Sequence, residues 1–378
     1  MSGLRPGCAS ARGTRAYVAR FAGTLPRGHF SDFGEARLKL SSLGIGTFPG
    51  AASDAVDAEC AALVAEGLLG GINVIDSAVH YRYGRALGAV RAGLERAFAA
   101  GLRREQIYVA VKAGFVLLPD GPPADFAAWF DAHCAAQGLG TRDDLSGMNL
   151  LSAEHIAWQL AHAREALGLE TIDALVIDQP EVHVAVIGKE AMHRKLEGVF
   201  GMLEAAARRG WIGAYGVASF DSLRVETDAA QFQSLTSLLG LAERAARAQG
   251  ESGGAPHHLR LVQLPFNPAM TEGFTRFSQA TGKGNLASTL QAAYQLGLYT
   301  MTSHALGKGR FATDDPLVEA IPGLANPAQR ALQFARSTPG VGTALTGLRT
   351  PAQLADLLAV AHTPPLAREA YVKLYRRA

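Results

Sequence analysis

Eight short runs rich in Val, Ile, Leu and Ala recur along the chain, each followed by a stretch with helical periodicity. This alternation constrains the fold more than any other feature. The runs are Leu43–Phe48, Ile72–Asp76, Ile107–Lys112, Ala174–Asp178, Ile212–Ala218, Leu261–Phe266, Leu298–Ser303 and Val341–Gly347. None alternates polar with apolar residues, as expected of strands covered on both faces. Helices are expected at Ala55–Glu66, Arg85–Ala99, Ala153–Leu167, Glu190–Arg208, Asn285–Leu296, Pro327–Arg336 and Pro351–Ala361, with Asp54, Ser152 and Asn326 as N-caps. A strand–helix unit repeated eight times predicts right-handed crossovers and a parallel sheet closed on itself. The fold class is therefore α/β, a (β/α)8 TIM barrel.

Two connections break the rhythm. Leu118–Leu151 follows the third strand, and Phe220–Arg260 follows the fifth, with an extra helix expected at Leu235–Gln249. Loops that leave a barrel strand emerge at its C-terminal face, where this architecture carries function. Residues 1–36 read as a loosely ordered N-terminal extension, 37–378 as a single barrel domain, and Leu366–Arg377 as a closing helix.

At 378 residues and 48% hydrophobic content the chain buries a large core, and the 42 glycines suit many tight turns. A net charge of +2 and 19% charged residues argue against nucleic acid or an acidic membrane surface as partner. No apolar run reaches the length of a membrane span. Cys8, Cys60 and Cys134 are odd in number and in no CxxC pattern, which points to a reducing compartment and against a disulfide framework or a zinc site. The first thirty residues hold five Arg and no Asp or Glu, a faint likeness to a transit peptide; the reading adopted is a cytoplasmic extension.

Chemistry concentrates at the ends of the strands. The segment Gly71-Ile-Asn-Val-Ile-Asp76-Ser-Ala-Val-His-Tyr81 ends a strand in Asp and places Tyr five positions on. The next strand ends in Val-Ala-Val-Lys112-Ala-Gly. Further along come Gly-Trp-Ile-Gly-Ala-Tyr-Gly-Val-Ala218-Ser219, Leu-Val-Gln263-Leu-Pro-Phe-Asn267, Thr302-Ser303-His-Ala-Leu306-Gly-Lys-Gly309 and Gly347-Leu-Arg349-Thr-Pro-Ala-Gln353. In this order the pieces resemble the aldo-keto reductase family, in a bacterial-type branch, over roughly Leu38 to Ala361. The resemblance implies an NAD(P)H-dependent oxidoreductase that reduces a small carbonyl or conjugated enone, with NADP as the cofactor and NAD as the alternative. It also implies catalytic roles for Asp76, Tyr81, Lys112 and the residue ending the fourth strand. Ser219, Gln263, Ser303, Leu306, Gly309, Arg349 and Gln353 would then line the cofactor.

Hydride reduction of a carbonyl needs an acid for the developing alkoxide. A phenol of ordinary pKa is a poor one unless its ionised form is favoured. In the scheme the resemblance supplies, Tyr81 is the acid, Lys112 tunes it and Asp76 holds Lys112. Taken singly, Asp76 reads as well as a turn cap, Tyr81 as rim packing and Lys112 as a solvated cation. Tyr83, directly before Gly84, competes with Tyr81; the spacing from Asp76 favours Tyr81.

The pattern breaks at the fourth strand. Where the family ordinarily ends it in a His that hydrogen-bonds the substrate carbonyl, this chain has Asp178. An ionised Asp178 would repel an oxyanion, whereas a protonated one would donate to it. The steroid 5β-reductase branch carries Glu there and reduces conjugated C=C bonds, so a protonated Asp178 points to an enone or otherwise specialised reductase. The cofactor positions are altered too. Ala218-Ser219 stands for Ser-Asn, Ser303 for a stacking aromatic, Gln353 for a phosphate-gripping Arg, and Asp356-Leu357 for Glu-Asn. Arg349 is the nearby substitute for the lost Arg.

Two other classes compete. One is a catalytically impaired, cofactor-binding barrel acting as a regulatory or partner-binding subunit. The other is a lyase or isomerase using Asp178 and Lys112 as an acid–base pair. Gly44-Ile-Gly46-Thr-Phe-Pro49-Gly50 is spaced GxGxxxG rather than GxGxxG, so a Rossmann dinucleotide loop is disfavoured. His257-His258 and His183 lack any HExxH or acidic partner, so no metal site is expected. His80 is set aside as a donor because neighbours on an extended segment face opposite ways. Phe126, Trp129 and Phe130 would line a pocket or pack as an amphipathic turn.

Overall fold

The strand segments alternate between two apolar environments, and that period of two builds the barrel. In a computed structural model describing residues 3–35, 37–250, 257–313 and 315–375, the barrel strands are β1 (Leu43–Gly46), β2 (Val74–Ala78), β3 (Tyr108–Ala113) and β4 (Ile172–Asp178). They continue as β5 (Ile212–Ala218), β6 (Leu259–Pro265), β7 (Tyr299–Ser303) and β8 (Thr343–Gly347). All pair in parallel with their chain neighbours, and β8 returns to β1, closing an eight-stranded barrel. Eight helices cover it: α1 (Asp54–Leu69), α2 (Arg85–Ala99), α3 (Ala153–Leu167), α4 (Lys189–Arg208), α5 (Leu235–Ala248), α6 (Thr289–Gln295), α7 (Pro327–Ser337) and α8 (Pro351–Ala361). The open Rossmann sheet is thereby excluded.

Ile75, Val109, Val111, Leu175, Ile177, Val217, Val262 and Leu264 face the helices in one core. Val74, Tyr108, Ala110, Ala174, Val176, Leu261, Met301 and Leu345 fill the barrel interior in another. Five of these interior columns, followed toward the C-terminal end, turn polar two residues later. Val74 leads to Asp76, Ala110 to Lys112, Val176 to Asp178, Leu261 to Gln263 and Met301 to Ser303. The packing that fills the barrel thus aims these side chains at one mouth.

The N-terminal segment is not loosely ordered. Residues Ala11–Ala19 form a helix, and Phe30–Phe33 pairs antiparallel with Leu38–Ser41. Tyr17 is fully buried and bonds the Leu68 carbonyl, while Phe33 packs edge-on to Tyr108 and Tyr299, closing the floor. Apolar side chains that look like punctuation in a basic leader are needed there to seal the barrel. Three further expectations are corrected. Ser53, not Asp54, caps α1, because the serine oxygen reaches the Val56 amide. The helix expected over Asn285–Leu296 starts at Thr289, because Leu286–Ser288 pairs with Phe277–Ala280. The closing helix spans Arg368–Leu374, and residues 376–378 lie outside the described ones, as does part of the expected extension. Among the described residues no helix is long and apolar enough to cross a membrane.

Candidate active site

A cavity of about 900 Å³ opens at the C-terminal ends of the strands. Asp76, Tyr81, Lys112 and Asp178 line it, as do Ser219, Gln263, Ser303, Leu306, Gly309, Arg349 and Gln353. The structure therefore brings together the four candidate catalytic residues and these seven candidate cofactor residues, but not Asp356 and Leu357, which lie outside the cavity. Tyr83 is 44% exposed, at a positive φ, and outside the cavity, so geometry favours Tyr81.

Lys112 and Asp76 form a buried ion pair, and Gln263 Nε2 donates to the other carboxylate oxygen at 2.9 Å. The Lys112 ammonium lies 5.1 Å from the centre of the Tyr81 ring. Burial works against this ammonium, but Asp76, Tyr81 and Asp178 together outweigh it and hold its pKa above the usual lysine range. Tyr81 does not become a strong acid in the free protein. Burial raises its pKa, and the opposing pull of Lys112 is smaller.

The turn that carries Tyr81 is anchored from below. Arg82, in the left-handed region, gives one guanidinium nitrogen to the Thr47 carbonyl and another to Asp57, each at 3.0 Å. After β3, Gly114 adopts φ +139°. An added Cβ would meet the Asp178 carbonyl at 3.2 Å, so glycine permits both the turn and the close approach of β4. Gln159 of α3 clamps this turn through the Gly114 amide and the Phe115 carbonyl.

Asp178 is only 6% exposed, and burial pushes its carboxyl up to about 6. Lys112 opposes that shift, while Asp76 and Glu181 reinforce it. Asn149 fixes the end of β4 by donating to the Asp178 carbonyl at 2.7 Å, and is itself held by His183. Directly after β5, Ser219 is already committed. Its hydroxyl donates to Glu181 at 2.8 Å and meets the Ser222 hydroxyl at 2.7 Å. The Gln353 amide oxygen likewise accepts from the Arg349 backbone at 2.7 Å, and Asp356 accepts from Asn326 and Gln329.

His80, Phe115, Gln179, His304 and Lys308 also line the cavity and were not selected from the sequence. Three of them, Gln179, His304 and Lys308, directly follow strand ends or sit at positive φ. That placement is the signal that would have found them. The ground for setting His80 aside fails, because its backbone is helical (φ −85°, ψ −8°) rather than extended. Its ring and that of Tyr81 therefore face the same cavity. Phe126, Trp129 and Phe130 do not line it; they pack with Val116, Leu118 and Leu150 in a small separate core. His258 pairs with Glu204, and among the described residues no group of three or more His, Cys, Asp or Glu could hold a metal ion.

The cavity fits an extended, phosphate-bearing dinucleotide. Lys308 and Arg349 supply positive charge along the lining. The Thr346 hydroxyl at the same wall is buried without a partner, and a Cβ added at Gly309 (φ +96°) would meet nothing, leaving backbone open to a ligand.

The profile of the aldo/keto reductase family matches residues 42–234. An aldo-keto reductase from Bacillus halodurans, in its holo form, is 15% identical. That match covers 92% of this chain and 96% of its own, with a TM-score of 0.62. An aldo/keto reductase from Brucella melitensis is 16% identical, covering 94% of this chain and 100% of its own at a TM-score of 0.57. No curated protein matches.

Proposed function

The chain belongs to the aldo/keto reductase family of nicotinamide-dependent oxidoreductases, and from that premise we propose that it is an NADPH-dependent reductase of a small carbonyl or conjugated enone, with Tyr81 as proton donor. The observation that carries this reading is the single cavity shared by Tyr81, the Lys112–Asp76 pair and all seven candidate cofactor residues.

The nicotinamide supplies the hydride when bound. Leu306, Gly309 and Lys308 would hold the pyrophosphate, with Arg349 near the adenosine end as the cation for a 2′-phosphate. Tyr81 gives its phenolic proton to the oxygen that gains charge. Lys112 then stabilises the phenolate, which is where the ammonium is most useful, since the free phenol is buried and reluctant to ionise. Asp76 keeps the ammonium in place and Gln263 keeps Asp76 in place. A protonated Asp178 would add a donor below about pH 6, the condition under which an enone would be polarised. Three free cysteines agree with a cytoplasmic setting.

The test is a fluorescence titration with NADPH and NADH, followed by cofactor consumption on aldehydes and enones by the wild type and by Tyr81→Phe. Turnover that falls at least 10³-fold in Tyr81→Phe, about 4 kcal/mol of barrier, with unchanged NADPH affinity is expected. Cofactor binding without turnover on any substrate would instead indicate a regulatory barrel. Activity that persists without nicotinamide would indicate a lyase or isomerase.

A further inference from the structure

We propose that His80 is a second catalytic residue, donating a hydrogen bond from its imidazole to the substrate carbonyl oxygen beside Tyr81. The inference rests on the reductase reading and narrows its substrate class to aldehydes and ketones. A carbonyl oxygen accepts two hydrogen bonds along its two lone pairs, and Tyr81 occupies one of them. The residue ending β4 cannot supply the other at neutral pH, because a carboxylate only accepts.

His80 has the required properties. Its ring lines the cavity with Tyr81, Lys112 and Asp178. It is held edge-on to the Tyr81 ring at 4.9 Å and against the Phe115 ring at 5.1 Å, so its orientation is fixed by packing. Its Nδ1 is enclosed without a hydrogen-bond partner, which leaves Nε2 as the nitrogen able to reach a bound molecule. Burial, and then the charge of Lys112, lower its pKa to about 4. The ring therefore keeps one N–H and no charge throughout the neutral range, whereas Asp178 changes charge near 6. The competing hydroxyl, Ser219, is spent on Glu181 and Ser222, and His304 is turned toward Ser303.

In the step so completed, a bound nicotinamide would supply the hydride that the carbonyl carbon takes up as the C=O π pair moves to oxygen. The oxygen takes the Tyr81 proton, and His80 keeps its own. Such a donor is worth on the order of 10²-fold in turnover.

The experiment compares wild type, Tyr81→Phe, His80→Leu and His80→Gln by NADPH consumption on a small aldehyde, with NADPH affinity measured by fluorescence. His80→Leu is expected to lose about 100-fold in kcat at unchanged NADPH affinity, and His80→Gln, which restores an N–H, to recover at least tenfold of that. His80→Leu turning over within threefold of wild type overturns the proposal. So does a glutamine variant no better than leucine, or a loss that appears equally in NADPH affinity. If Tyr81→Phe alone abolishes turnover, the reductase reading stands whatever His80 does. If wild type reduces enones but no carbonyl, the His80 proposal falls alone; if it reduces neither, both fall.

Discussion

Among the described residues the barrel holds two carboxylate–cation pairs buried on both sides, one at each end, and they differ in what surrounds them. At the floor, Asp173 of β4 takes hydrogen bonds from Arg104 (2.6 Å), the Val109 amide (2.8 Å) and the Ala9 amide (2.6 Å). Arg104 also serves the Ile107 and Thr171 carbonyls. At the mouth, Asp76 has only Lys112 and Gln263, and the pair faces an open cavity. Both are almost fully buried, at 4%/3% and 5%/7% side-chain exposure. The same chemical unit is a rivet where backbone groups saturate it, and a reactive group where one side is left for a ligand.

Breaking each pair at its cation tests the contrast most severely. Lys112→Met is expected to reduce turnover on the order of 10³-fold, about 4 kcal/mol of barrier. Arg104→Met should cost about 3–5 kcal/mol of stability, because it strands a buried carboxylate. The molecules that remain folded should keep wild-type kcat and KM. Urea unfolding and steady-state kinetics on both variants check this. An Arg104→Met protein as stable as wild type, or one folded but inactive, breaks the distinction.

Asp178, the second carboxylate at the mouth, offers a sharper probe. Asp178 titrates near 3.8 when unfolded and, chiefly through burial, near 6 when folded. Raising a folded-state pKa favours the proton, so the contribution to stability is fullest below about pH 4 and is lost as pH rises through about 6. At pH 7 the buried charge costs about 3 kcal/mol. Asp178→Asn, uncharged and of similar size, should therefore stabilise the fold by up to that amount at pH 7 and by almost nothing at pH 4. Equal unfolding midpoints for the two proteins at both pH values would mean that the site tolerates the charge.

How much of this was legible in the sequence follows from which contacts are local. Strand β5 and helices α2, α3 and α8 fall where periodicity and caps put them, because the interior and exterior columns of a barrel are written residue by residue. At the mouth the family resemblance named the residues, and the columns explain part of the choice: a polar residue ending an apolar strand points where its column points. The floor was not. Phe33 and Tyr17 acquire their meaning only from Tyr108, Tyr299 and Leu68, which are distant in sequence. His80 was set aside because its orientation depends on a helical turn after β2, and the commitment of Ser219 was missed because Glu181 lies on a different loop. Side-chain bookkeeping across loops is tertiary information.

Gln263 separates inheritance from local geometry, with the smallest effect. The family resemblance makes it a cofactor contact, whereas its amide nitrogen donates to Asp76 at 2.9 Å. If it acts as a positioning residue for the Asp76–Lys112 pair, Gln263→Leu should lower kcat about tenfold, near 1.4 kcal/mol, with NADPH affinity unchanged. If it chiefly holds the cofactor, the loss should appear in NADPH affinity with kcat at saturation preserved. Fluorescence titration beside saturating turnover distinguishes the two. A kcat-only loss would mean that even the mouth pair needs a third fixed partner, bringing it one step closer to the rivet at the floor.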